Sequence, residues 1–160
     1  MKLDKILVPL DGSMLAETAL WTALDLAEKN GASVSLLRAA EAYALPGADT
    51  TEAQVMAVRE AEEYLAAVTR RLEDRGFRRV ETHVWYGAAA AAIVEAASVQ
   101  KADMMVMSTH GRTGLGRLIL GSVAESVLRG TTVPILIVHA DSAPVDVPRG
   151  AEPAQRATHV

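Results

Sequence analysis

Two stretches of the chain combine residue types that can hold an anion. The longer runs from Met107 to Ser122 and reads Met-Ser-Thr-His-Gly-Arg-Thr-Gly-Leu-Gly-Arg-Leu-Ile-Leu-Gly-Ser. An apolar run, Met104 to Met107, precedes it and suits a buried parallel strand. Ser122 to Leu128 suits a helix, with Ser122 as its N-cap and Glu125, three residues on, completing a capping box. A glycine-rich loop thus joins a strand end to a helix start, where free backbone N–H groups and the helix dipole favour a phosphate. Gly111 and Gly121 let backbone approach such a ligand. Ser122 offers its hydroxyl and N–H, and Val123 and Ala124 add first-turn N–H groups. No acid lies between Asp103 and Glu125, whereas Arg112 and Arg117 can neutralise phosphate charge. The second stretch is Asp11-Gly12-Ser13, a turn that follows the apolar run from Lys5 to Leu10, with Ser13 able to cap a helix.

Two common phosphate motifs are not met. Gly111-Arg-Thr-Gly-Leu-Gly116 has the glycine spacing of a Walker A loop, but Arg117 and Leu118 stand where Lys and a magnesium-binding hydroxyl belong. Gly114 and Gly116 could begin a Rossmann fingerprint, but Ile119 occupies the position of its third glycine.

The stretch resembles a third pattern. Universal stress proteins of the nucleotide-binding type carry Gly, two residues, Gly, a run of intervening residues, Gly, then Ser or Thr. Gly111, the nine residues Arg112 to Leu120, Gly121 and Ser122 match its later part, and Ser108 stands in place of the first glycine. Ile6-Leu7-Val8-Pro9-Leu10-Asp11-Gly12-Ser13 is similar to the family's opening strand and turn, and Val133-Pro134-Ile135-Leu136-Ile137-Val138 to its closing strand. The resemblance covers roughly residues 1 to 140 and implies an ATP-binding regulator, with AMP or cyclic AMP as alternative ligands. It also implies a five-stranded parallel sheet of order 3-2-1-4-5.

The rest of the chain fits a single α/β domain with helices on both faces of the sheet, a doubly wound, Rossmann-like fold. Ala16, Ala19, Leu20, Ala23 and Ala27 share a helical face that Lys29, Asn30 and Gly31 terminate. Ser33 to Ala39 is a second strand. A capping box at Thr51-Glu-Ala-Gln54 starts a long helix with Val58, Ala61, Leu65, Val68 and Leu72 inside, and its charged residues read as a solvated face. Arg79 to Tyr86 alternates and is the most polar strand, which suits a sheet edge. Ala88 to Val99 is an alanine-rich helix, Gly121 to Arg129 another, and Val133 to His139 the last strand. Residues 141–160 hold three of the six prolines and few large apolar side chains, so they read as a flexible tail outside a domain of residues 1–140.

In such sheets ligands sit outside the C-terminal strand ends where the winding reverses, here between the first and fourth strands. Pro9, Leu10 and Asp11 end the first strand, and Met107 and Ser108 the fourth. Asp11 can accept a hydrogen bond from an adenine amine or a ribose hydroxyl, or serve as a turn residue bonded to its own backbone. Ala39 matches a family position whose backbone meets the base. Any Mg²⁺ would be carried mainly by the nucleotide phosphates. His110 reads as an ordinary loop histidine, and the other three histidines have no metal-ligand spacing.

Composition narrows the alternatives. With no cysteine, disulfides and thiol chemistry are excluded; a formal charge of −4 and six aromatics without an interleaved basic patch argue against nucleic acid. No apolar run reaches membrane length and no signal peptide is apparent, so the expected location is the cytoplasm. Three readings stay open: a nucleotide-binding regulator that hydrolyses slowly or not at all, a slow ATPase or adenylyl-transfer enzyme, and a dimeric interaction module with an empty crevice. Strand Val133–His139, apolar on both faces and at an edge, invites pairing with its copy in a homodimer.

Overall fold

The computed structural model describes residues 2–42, 49–109 and 120–139. The elements alternate strictly: β1 (Lys5–Pro9), α1 (Met14–Asn30), β2 (Ser33–Ala40), α2 (Thr50–Glu73), β3 (Val80–Tyr86), α3 (Ala89–Val99), β4 (Met104–Ser108), α4 (Ser122–Gly130) and β5 (Ile135–Val138). The sheet order is β3-β2-β1-β4-β5, and every pairing is parallel. This is the order that the resemblance implied, with the polar β3 at one edge.

Alternation along the strands divides the core into two layers. Ile6, Val8, Leu10, Val34, Leu36 and Val106 face α1 and α2, where Leu20, Leu24, Leu65, Val68 and Leu72 meet them. Leu7, Leu37, Met105 and Met107 face α3 and α4, against Ile93, Ala96, Ala97, Ala124 and Val127. The methionines of β4 therefore fill core space, as their soft, unbranched side chains suit them to do. The alanines of α1 and α3 let these helices lie close on the sheet; Ala19, Ala23, Ala96 and Ala97 are wholly buried.

The helix ends show where local signals competed. Gly31 closes α1 in the left-handed conformation (φ 67°), and its N–H donates to the Ala27 carbonyl. For α2 the expected cap was Thr51. The structure uses Asp49, whose carboxylate accepts from the Thr51 N–H at 2.8 Å. Asp-Thr-Thr offers consecutive capping side chains, and Asp is the better acceptor. The expected last strand, Val133–His139, is shorter: β5 spans Ile135–Val138, because Pro134 before it cannot donate to the ladder.

Asp103 holds the start of β1 in place. Its Oδ2 accepts from the N–H groups of Asp4 and Lys5 at 2.8 and 2.9 Å. Those bonds, the Lys5 one foremost, pull its carboxyl below the ordinary carboxylate value. Stability from this contact is therefore complete above the unfolded-state value near pH ~4 and lost as pH falls through the lower folded-state value. Asp103→Asn is expected to cost about 1 kcal/mol near neutral pH, since the group is largely solvated. A urea melt at pH 7 and one below pH ~3 check this: the gap between wild type and variant should narrow at the lower pH.

Candidate functional site

The crevice begins with the backbone. β1 and β4 are in register only at Ile6↔Met104 and Leu7↔Met105, whereas β1 stays paired with β2 through Pro9↔Leu37. Past Leu7 and Met105 the two central strands have no further ladder pairs, and each follows its outer neighbour. Leu10 donates to the Leu37 carbonyl at 2.8 Å, and Thr109 to the Val138 carbonyl at 3.1 Å. The C-terminal ends of β1 and β4 thus part at the point where the winding reverses.

One wall is the turn after β1. Pro9 has no N–H, and Leu10 is buried in the core. Asp11 adopts the turn-residue role: its Oδ1 accepts from the Ser13 N–H at 2.8 Å and the Ser13 hydroxyl at 2.6 Å. Ser13 in turn caps α1 by accepting from the Ala16 N–H at 3.1 Å. Asp11 Oδ2 makes no hydrogen bond among the described residues, so bonding to the turn does not exhaust this carboxylate. Gly12 has φ 85°, a left-handed conformation that favours glycine.

The other wall is the end of β4 and the start of α4. Met107 and Ser108 are buried. The Gly121 N–H donates to the Thr109 carbonyl at 2.7 Å, which ties the two elements together. The expected capping box is absent. Gly121 is the N-cap, no side chain among the described residues caps the helix, and Ser122 is its first residue. Glu125 bonds Arg129 at 2.6 Å, one turn along the helix, instead of reaching back. The reason is the Gly121–Thr109 bond, which holds Gly121 in extended backbone and starts the helix one residue too early for Ser122 to cap it. Ser122 and Val123 are exposed, and Ala124 is buried under α3. Among the described residues, the first-turn N–H groups of α4 thus have no side-chain cap. Ala39 lies in β2 opposite Trp85 of β3, one residue from the strand end. Gly111 and Arg112, with His110 and Arg117, lie outside the described residues.

The sequence reading missed Arg38. It is the only charged residue in β2, and it lies two residues from the strand's C-terminal end. Its guanidinium lies 5.4 Å from the centroid of the Tyr64 ring. A Cβ built on Gly12 would fall 3.1 Å from Arg38 Nη1, so the guanidinium packs on the turn that carries Asp11. Tyr64 donates to Glu17 at 3.0 Å, and Arg71 joins the same carboxylate at 2.8 Å. Burial first, then the bond to Glu17, raises the Tyr64 hydroxyl well above the ordinary tyrosine value, so it remains a donor. A cation interrupting a buried strand near its C-terminal end was the available signal.

Among the described residues no cluster of three or more His, Asp or Glu could hold a metal ion. No helix among them is long and apolar enough to cross a membrane.

The fold and crevice define a class. Residues 2–139 match the family model of the universal stress protein family. Universal stress protein MJ0531 of Methanocaldococcus jannaschii is 35% identical over 138 residues, covering 84% of this chain and 81% of that protein. The chain belongs to the universal stress protein family. Among solved structures, hypothetical protein MJ0577, the subject of a structure-based assignment of biochemical function, superposes with a TM-score of 0.76 at 29% identity, covering 87% of this chain and 97% of that one. An Arabidopsis thaliana family protein with AMP bound shares the fold at a TM-score of 0.63 and 16% identity, covering 89% and 97%.

Proposed function

We propose that this protein binds an adenine nucleotide at the C-terminal ends of β1 and β4 and acts in the cytoplasm as a regulator of the stress response. ATP is the first choice, with AMP or cyclic AMP as alternatives. The observation that supports it best is the parting of β1 and β4 beside a helix start that no described side chain caps. An uncapped helix N-terminus presents N–H donors and positive dipole to phosphates. The base and ribose would lie against Pro9, Leu10, Asp11 and the Ala39 backbone. The phosphates would lie against Met107, Ser108, Gly111, Arg112, Gly121, Ser122, Val123 and Ala124. Mg²⁺ would enter with the phosphates. Neighbouring family structures in complex with cAMP and with AMP agree with a nucleotide of this kind. Denaturing freshly purified protein and identifying the released small molecules by mass should yield an adenine nucleotide. Guanine nucleotides in its place would overturn the ligand assignment.

Turnover should be slow. In the described part of the crevice, Asp11 is already engaged by the Ser13 N–H and hydroxyl, which leaves it a poor general base. Steady-state ATP hydrolysis is expected far below the ~10 s⁻¹ of a median enzyme. An ordinary enzymatic rate would establish an ATPase instead.

The protein is further proposed to act as a homodimer through β5. All four β5 side chains are only half-buried, and the strand ends the sheet. Its free edge can be read from the ladder. The Pro134 and Val138 carbonyls accept from the N–H groups of Met105 in β4 and Thr109 just past it, at 2.8 and 3.1 Å. With a two-residue period, Leu136 also bonds inward, and the N–H and C=O of Ile135 and Ile137 face outward. Wild type should scatter light as twice the 17.0 kDa of one chain. Ile137→Pro should give a folded monomer, while Leu136→Pro should damage the fold itself. A monomeric wild type at micromolar concentration would refute the dimer.

A further inference from the structure

The opposite end of the sheet carries a feature unrelated to the nucleotide crevice. A cleft of about 210 Å³ opens where α1 ends and β2 and β3 begin. Its floor is apolar: Leu24, Ala27, Ala32 and Val34 are buried, with Phe77 and Val80 beside them. Its rim is charged, with Arg78 and Arg79 against the single carboxylate of Glu28. Arg79 donates to the Gly31 carbonyl and so is held at the rim.

Arginines are dense in the surrounding sequence. From Arg70 to Arg79 there are five arginines against Glu73 and Asp74, in a chain whose net charge is −4. Arg71 is paired with Glu17. Among the described residues, Arg75, Arg78 and Arg79 have no carboxylate partner. Arg75 instead lies over Trp21, 4.5 Å from the ring centroid, and that tryptophan is 42% exposed. Trp21 is one helical turn from Leu24 of the cleft floor, so cleft, tryptophan and arginines form one surface. Exposed Trp and Arg around an apolar depression are the residue types that carry most binding energy at protein interfaces.

Size decides the kind of occupant. Pockets for nucleotides or drug-sized ligands run to ~300–1,000 Å³. A cleft of about 210 Å³ suits one apolar side chain instead. Charge decides the rest: guanidiniums without a carboxylate partner among the described residues suit carboxylates, which they can bind in bidentate fashion. Nucleic acid fits less well, because the rim is short, carries Glu28, and surrounds an apolar floor. We propose that this cleft is a docking site for an acidic segment of a partner protein. One Phe or Leu of that segment would fill the cleft, and flanking Asp or Glu side chains would meet Arg75, Arg78 and Arg79.

Fluorescence anisotropy of a labelled acetyl-Glu-Asp-Phe-Glu-Asp-amide peptide titrated with the full chain tests this. Saturable binding is expected, weakened about tenfold or more by Arg78→Glu and by replacing the peptide's Phe with Ser. Glu28→Lys, which removes the opposing charge, should tighten it. Both positions are exposed, so circular dichroism and ATP affinity should be unchanged in the variants. The proposal fails if binding does not saturate, if Arg78→Glu binds equally well, or if a peptide with Lys for every acid binds as tightly. It also fails if a single-stranded oligothymidylate binds more tightly than the peptide.

Discussion

Leu36→Ala is expected to destabilise the protein by about 3 kcal/mol, and so to lower its melting temperature by about 6–12 °C at this chain length. Leu36 is wholly buried in β2, which has β1 on one side and β3 on the other, under α1 and α2. Removing three carbons there loses transfer energy, and backbone paired on both sides cannot collapse onto the void. Val99→Ala is the contrast: Val99 is 62% exposed at the end of α3, so its loss should stay within about 0.5 kcal/mol. Urea unfolding of the two variants measures both. A cost below about 1 kcal/mol for Leu36→Ala would contradict its place in the packed layer.

Gly121→Val should abolish useful nucleotide binding while leaving the fold intact. Gly121 has φ −57° and ψ 151°, angles that any residue adopts, so valine brings no backbone strain. Its N–H can still reach the Thr109 carbonyl. What changes is room, since a branched side chain now stands at the helix start where the proposed phosphate would meet backbone. Hydrogen bonds to a charged group contribute about 1.5–3 kcal/mol each, so displacing the phosphate from one or two should weaken binding about 100-fold. Unchanged calorimetric affinity in a variant with native circular dichroism would remove the phosphate site from α4.

The strands were legible because their apolar runs are short and bounded, and because alternation assigns Leu36 and Leu37 to opposite layers. The strand order came from the family likeness, with the polar pattern of Val80 to Tyr86 marking one edge. Gly31 was legible as a helix stop because glycine's left-handed backbone is hard to replace there. Caps were less so. Asp49, Thr50 and Thr51 are all competent acceptors, and the choice rests on where the helix axis meets the sheet. At α4 the decision came from the Gly121–Thr109 bond, a contact across the crevice that no local pattern encodes. Asp11 could be recognised as a turn or ligand residue, but its division of labour between oxygens needed coordinates. Arg38 was overlooked because β2 was read for its apolar residues. Its packing on Gly12 joins residues from different elements, which periodicity cannot show.

Titration calorimetry of nucleotide-stripped protein with ATP is the most direct test. A single saturable site per chain is expected, with affinity lost in Gly121→Val and retained in Arg78→Glu, whose side chain lies at the far end of the sheet. No saturable heat with ATP, AMP or cyclic AMP up to millimolar concentration would contradict the account and leave the crevice between β1 and β4 without a nucleotide.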